Sequence, residues 1–431
     1  MKNISLLLQE AQEFYAMGTE FGFANPQSMS GGDYNGKEAL VNGIKTVDMT
    51  RLDYLDLGQS PEIKGIMKGC IERYISCPTS QMALKSESTV HLERALAEFH
   101  GMADSVIYLS GYCANESVIQ ALALRMKTSH LGPYVVETDM GKKTRNIPTE
   151  FFVDDETHYS IINAIKFAKM KVKDGCLFHR FPTADYGRLT ELLDKSKEEL
   201  GDRSIRIIVS DTISSMSGRV YDVPALCQIA EDYDCFLYLD EAHAIGTVGE
   251  QGRGIASEMK DFERYKNRLI IMGTLTKAVS QLGGYVVVPD ERLSCFLRAC
   301  SPQYIFSAPL SPWMAEAVIQ IIDLIRSDYG KAKRELLTNV SAYMRESLQK
   351  AGFNTLGSES QIVPVLIGKE SDGIKTKAFL EAAGFTPSLF ICPAVPKDES
   401  ILRFSLCSDI TCQEVDSVVR LLLQARGLYG F

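Results

Sequence analysis

From about Glu62 to about Asp290 the chain alternates short apolar runs, rich in Val and Ile, with helix-like segments, and this alternation constrains the fold most. Ser105–Leu109, Phe151–Val153, Ile205–Val209, Phe236–Leu239, Leu269–Met272 and Tyr285–Val288 read as strands. Glu116–Met126, Ser160–Lys171 and Val223–Tyr233 read as helices between them. Short apolar runs alternating with helices indicate a mostly parallel sheet covered on both faces. The expected fold class is therefore α/β. After about Pro312 the pattern changes to a long, largely helical stretch (Ala315–Leu348), strands Ile362–Ile367 and Ile401–Leu406 with helix Lys375–Ala383 between them, and a closing helix Gln413–Ala425. Three parts are expected: an N-terminal arm (1–60), a large α/β domain (61–311) and a small α+β domain (312–431). The arm carries a short helical pattern, Ile4–Met17, and a Gly/Asn/Ser-rich stretch, Asn25–Gly36; it is of the kind that packs on a partner subunit. Lys127–Pro148 is polar, contains Gly and Pro, and reads as a long loop that acts as a lid or a contact surface.

A chain of 431 residues, 45% hydrophobic and 23% charged, can bury a large core and is not disordered throughout. Its net charge of −9 argues against a general nucleic-acid binder, which needs concentrated Lys and Arg. The eleven cysteines are scattered and include no CxxC pair. That argues against a secreted disulfide framework or a zinc ribbon and fits a reducing cytosol better; no metal site is expected. Met1–Glu20 has no basic segment leading into an apolar one, so no signal peptide is expected. No run of about 18 apolar residues is present to span a bilayer.

Open α/β sheets bind ligands at the carboxyl ends of their strands. Four segments put polar residues there: Ser110-Gly111-Tyr112, Ser214-Ser215, Asp240-Glu241-Ala242-His243 and Thr274-Leu275-Thr276-Lys277. Asp240 should emerge partly buried, where a carboxylate needs a cationic partner such as a protonated pyridine nitrogen. A lysine in a semi-buried pocket has a lowered pKa and can form a Schiff base. Together, Asp240 and Lys277 make the minimal signature of a pyridoxal 5'-phosphate (PLP) site. Gly111 and Tyr112 precede a helix whose free N–H groups could hold the phosphate. Spacing alone leaves open that Asp240 and Lys277 are unrelated surface or capping residues. Asp240–His243 also spells the acidic box of a helicase, but no G-x-x-x-x-G-K-[ST] loop is present. Gly141-Lys142-Lys143-Thr144 imitates it within a polar loop. Gly246, Gly249, Gly252 and Gly254 read as a turn after the Asp240 strand rather than as a dinucleotide loop.

These residues resemble the α-oxoamine synthases, PLP-dependent enzymes of the aminotransferase class I/II fold, from about Asp53 to the C-terminus. The block Leu239–Gly254 carries most of the likeness. It is joined by Thr274–Lys277 as T-x-x-K, Ser110–Asn115 as S-G-[FY]-x-A-N, Asp155–Ser160, Ile362–Val365 and Leu402–Leu406. The resemblance implies fold type I, with a mostly parallel seven-stranded sheet in the large domain. It implies that Lys277 binds the cofactor covalently, that His158 stacks on its ring, and that Asp240 keeps the ring nitrogen protonated. It places His243 and Ser215 near the phenolic oxygen or the ring. Gly111, Tyr112 and Thr274 would hold the phosphate, and Arg403 the substrate carboxylate. Three departures stand out. Cys77-Pro78-Thr79-Ser80-Gln81-Met82 replaces the family's G-S-G-x-S-R loop, which leaves Ser80 as a substrate-binding candidate. Leu52 replaces the asparagine of N-[DY]-Y-L. Ala308 replaces a threonine that reaches the neighbouring subunit's phosphate, with Ser307 beside it as a cofactor-binding candidate. The altered loop, Ser358–Ile362 and Arg403–Asp409 resemble the branch of α-hydroxyketone autoinducer synthases; serine palmitoyltransferase-like enzymes are the other nearby branch.

The implied reaction is a decarboxylating Claisen condensation of an α-amino acid with an acyl thioester, on acyl-CoA or an acyl carrier protein, to an α-aminoketone. Lys277 would remove the Cα proton, and His158 or His243 would donate to the developing oxyanion. An aminotransferase or lyase on the same fold is the rival within PLP chemistry, and an inactive partner subunit the non-enzymatic one. A cytoplasmic homodimer with shared sites is expected.

Overall fold

The computed structural model describes residues 2–20, 35–41, 43–76, 79–125 and 147–431. The loop reading of Lys127–Pro148 therefore lies outside the described residues, apart from its last two, as does Gly141–Thr144. A seven-stranded sheet forms the centre. It comprises β3 (Asp104–Tyr108), β4 (Thr149–Asp154), β5 (Cys176–Phe181), β6 (Ile205–Asp211), β7 (Phe236–Asp240), β8 (Leu269–Thr274) and β9 (Gly284–Val288). Their order is β3-β9-β8-β7-β6-β4-β5, and only β9 runs antiparallel to its neighbours.

Every residue of β4, β8 and β9 is buried. That is the burial of central strands covered on both faces, and it explains the apolar runs Phe151–Val153, Leu269–Met272 and Tyr285–Val288 within them. Alternate side chains feed two cores. Ile208, Leu237, Leu239 and Ile271 enter one, and Ile207, Val209, Tyr238 and Ile270 the other.

The remaining strands form two small sheets. β1 (Glu38–Val41), β2 (Ile44–Asp48) and β11 (Phe385–Thr386) make one. Residues from the expected N-terminal arm are thus tied to the C-terminal part, through Phe385 opposite Val47. β10 (Ile362–Gly368), β13 (Ser400–Ser405) and β12 (Ser388–Phe390) make the other, all antiparallel.

The expected helical stretch Ala315–Leu348 is two helices, Pro312–Arg326 and Asp328–Lys350, broken at Ser327. Ser327 adopts an extended backbone, and its hydroxyl donates to the Leu324 carbonyl at 2.6 Å. Gly330 then passes so close to the first helix that a Cβ there would sit 2.1 Å from the Ile325 carbonyl oxygen. The expected helix at Glu116 begins earlier, at Gly111, because the Ser110 hydroxyl caps it by accepting the Cys113 N–H at 3.1 Å. Glycines 246, 249, 252 and 254 all have positive φ and form the turn after β7. Among the described residues no helix is long and apolar enough to cross a membrane.

Candidate active site

The parallel strands β4, β6, β7 and β8 end on one edge of the sheet, and the candidate residues collect there. Asp211 and Asp240 are register partners at the ends of β6 and β7. His158 follows β4, and Lys277 lies three residues beyond β8. Lys277 Nζ is 3.0 Å from His243 Nε2, and His243 Nδ1 is 2.7 Å from the Tyr54 hydroxyl. Burial brings the Lys277 ammonium down to about 8, with Asp240 and Asp211 opposing that shift. Burial, then the adjacent Lys277 charge, holds His243 well below the usual imidazole range, so its ring is neutral.

Asp240 is fixed from two sides. The Ala242 N–H donates to Oδ1 at 2.9 Å, and the Asn115 amide donates to Oδ2 at 2.8 Å. Asp211 accepts the His158 backbone N–H at 3.3 Å. Burial, reinforced by the Asp240 charge, pushes the Asp211 carboxyl well above the ordinary carboxylate range. Asp240 thus has two donors on its carboxyl oxygens, where Asp211 has the one from His158.

His158 caps helix Tyr159–Val172 through Nδ1. Its ring stands edge-on to Tyr112, with centroids 6.4 Å apart. Burial lowers its pKa, and the Asp240 charge works against the shift. Gly111 opens helix Gly111–Leu124 beside Thr274: a Cβ on Gly111 would lie 3.2 Å from Thr274 Cβ and 3.3 Å from its Oγ1. Arg403, on β13, donates from Nη1 to the Ser215 carbonyl at 2.7 Å and lies over the Phe390 ring at 4.7 Å.

Lys277, His243, Asp240 and His158 are thereby linked by hydrogen bonds or by their mutual charges, with Gly111 and Thr274 in contact alongside. Ser215 joins them through its carbonyl rather than its hydroxyl. Two candidates stand apart among the described residues. Ser80 is exposed, and its carbonyl accepts the Ala83 and Leu84 N–H groups. Ser307 uses its hydroxyl on the Gln303 carbonyl and shares a small cavity with Gln81. Tyr54, Asn115, Asp211 and Ser160 escaped the sequence reading as site residues. Asn115, Ser160 and Tyr54 had a signal, since they fall in the S-G-[FY]-x-A-N block, the Asp155–Ser160 block and the N-[DY]-Y-L segment; Asp211 is shown only by its contacts.

The residues fit PLP. An amine, a buried carboxylate and two histidines with lowered pKa values lie close together at the strand ends, and Gly111 leaves beside Thr274 a space that a Cβ would fill. Arg403 Nε is buried without a hydrogen-bond partner among the described residues, as a donor awaiting an anionic group would be.

Fold and site together define a PLP-dependent enzyme. The chain belongs to the aminotransferase class I and II family, whose model matches residues 45–422. It is 31% identical over 378 residues to an 8-amino-7-oxononanoate synthase of Geobacter sulfurreducens, covering 86% of each chain. It is 27% identical over 391 residues to a serine palmitoyltransferase of Bacteriovorax stolpii, covering 90% of this chain and 84% of that one. Both relatives are α-oxoamine synthases, the group that the motifs resemble. Among solved structures, the serine palmitoyltransferase of Sphingomonas wittichii superposes with a TM-score of 0.80 at 22% identity, covering 99% of this chain and 98% of that one; this likeness concerns the fold.

Proposed function

We propose that this chain condenses an α-amino acid with an acyl thioester and releases carbon dioxide, giving an α-aminoketone. The relatives named above, from two branches of one reaction type, support the reading. So does one observation in particular: an amine with a pKa brought down to about 8 lies 3.0 Å from a neutral histidine, in the pocket that Asp240 charges. When bound, PLP supplies an aldehyde that an amine can condense with and a ring that spreads negative charge from the amino acid's Cα.

The chain's own residues do the rest. Lys277 would hold the cofactor through its amine, and that amine, with its lowered pKa, is suited to take the proton from the amino acid's Cα near neutral pH. Asp240 would balance a protonated ring nitrogen, and its two donors hold the carboxyl group in place. The N-terminus of helix Gly111–Leu124, with Tyr112 and Thr274, offers N–H and hydroxyl donors to the phosphate. Arg403 offers a planar cation to the amino acid's carboxylate, and His158 packs against the ring side of the pocket.

A homodimer is part of this proposal. Ser80 and Ser307 lie away from the pocket on segments that expose Met82, Leu84 and Phe306, the last at 82%. A second copy would cover these apolar residues, and both serines would then serve its site. Sedimentation at the mass of two chains is expected; full activity in a monomer would oppose it. The division into 1–60, 61–311 and 312–431 and a cytoplasmic location are proposed on the same footing. None of the described cysteines forms a disulfide, which suits a reducing compartment.

The function is tested by incubating the PLP-loaded chain with each amino acid and a panel of acyl-CoAs, and following free thiol. Thiol release that requires both substrates is expected. A keto acid formed without thiol release would identify an aminotransferase instead.

A further inference from the structure

The hydrogen bonds around Asn115 run in one direction. Asn115, Tyr238, Ser160 and Asp240 are all buried. The Tyr238 hydroxyl donates to Asn115 Oδ1 at 2.6 Å. Asn115 Nδ2 then donates one proton to Asp240 Oδ2 at 2.8 Å and the other to Ser160 Oγ at 3.0 Å. The amide cannot be reversed, because its oxygen would then face a carboxylate oxygen with no proton between them.

With its oxygen accepting from Asn115, Ser160 has its own proton to give, and His158 Nδ1 lies 2.7 Å away. The Ser160 backbone N–H also points at Nδ1, at 3.3 Å. Two donors meeting at one ring nitrogen leave no room for a proton on it. In the neutral imidazole the proton must then sit on Nε2.

We infer that Asn115 is a positioning residue: acting through Ser160, it locks His158 as the Nε2–H tautomer while the same amide holds the Asp240 carboxylate. His158 Nε2 is then a fixed hydrogen-bond donor, and Nδ1 is not available as a base in the resting protein. The acid of the pocket and the histidine of the pocket are set by one side chain, so a change at position 115 should disturb both. The functional meaning of this tautomer rests on the reading of His158 as a site residue. The tautomer itself can be measured without cofactor, substrate or turnover, so a failed thioester assay and a failed tautomer assignment remain distinguishable.

The test is long-range proton–nitrogen NMR on the full, cofactor-free chain labelled with 15N-histidine, with the His158 signals assigned by a His158→Gln variant. The wild-type chain should show an unprotonated Nδ1 and a protonated Nε2 at His158. Asn115→Ala frees Ser160 to donate to Asp240 and lets Nδ1 donate to Ser160; the preference for Nε2–H should fall about tenfold, the scale of one net hydrogen bond. Ser160→Ala should weaken the preference similarly. A protonated Nδ1 at His158 in the wild-type chain overturns the assignment, and that result needs neither Asn115→Ala nor Ser160→Ala to fold. An Nε2–H preference unchanged in a folded Asn115→Ala chain overturns the role of Asn115.

Discussion

Replacing Lys277 with methionine should make the cofactor-free chain more stable at neutral pH. The amine is buried, and its pKa falls from 10.5 to about 8 in the folded chain. Between those values the unfolded chain binds more protons than the folded one, so stability rises with pH across that window. Below about pH 8 the cost of burying the ammonium is fully present; above 10.5 it is gone. The gap corresponds to about 3 kcal/mol. Methionine has a similar length, stays apolar and carries no charge, but it leaves the buried His243 Nε2 without its 3.0 Å partner, a loss of about 1–3 kcal/mol. The variant should therefore gain up to about 2 kcal/mol at pH 7, reversing to a loss by pH 10.5. Denaturant melts of both cofactor-free chains at the two pH values measure this. An equal difference at both values, or a variant less stable at pH 7, would refute the argument that Lys277 is held in the pocket against a desolvation cost.

Three other changes separate folding from function. Gly111→Ala should leave the cofactor-free chain as stable as before, because alanine favours a helix over glycine, yet weaken PLP binding at least about tenfold by crowding Thr274; thermal melts and a PLP titration read the two. Arg403→Gln should raise KM for the amino acid by about 10- to 100-fold, the worth of a charge-assisted contact, with a much smaller effect on KM for the thioester. Tyr54→Phe strips the hydroxyl from a buried His243 nitrogen and should destabilise the chain by about 1–3 kcal/mol, measured by denaturant melts.

Much of the fold was legible because central strands must be apolar throughout. β6, β7, β8 and β9 announce themselves as runs of Val, Ile and Leu. β5 did not: Cys176–Phe181 contains His179 and Arg180, lies at the sheet edge and is mostly half-buried, so no burial pattern marks it. Helix Tyr186–Leu200 is rich in charge and buries only Leu189, Leu193 and Ser196, too thin a stripe to stand out. The break at Ser327 depends on the packing of Gly330 against Ile325, a contact no local pattern reports. In the site, Asp240, His243 and Lys277 were legible because each follows a strand within a recognisable block. The roles of Tyr54 and Asp211 were not, because their importance lies in what approaches them. Tyr54 comes from 189 residues away to meet His243, and Asp211 becomes significant only as the register partner of Asp240.

The most direct test of the account is stoichiometric. The PLP-loaded chain is given carboxyl-labelled amino acid and the acyl-CoA that it consumes, and free thiol and labelled carbon dioxide are counted together. One carbon dioxide for each thiol, both lost in Lys277→Ala, is the expected result. Thiol released without carbon dioxide, or carbon dioxide released without thiol, contradicts a decarboxylating condensation.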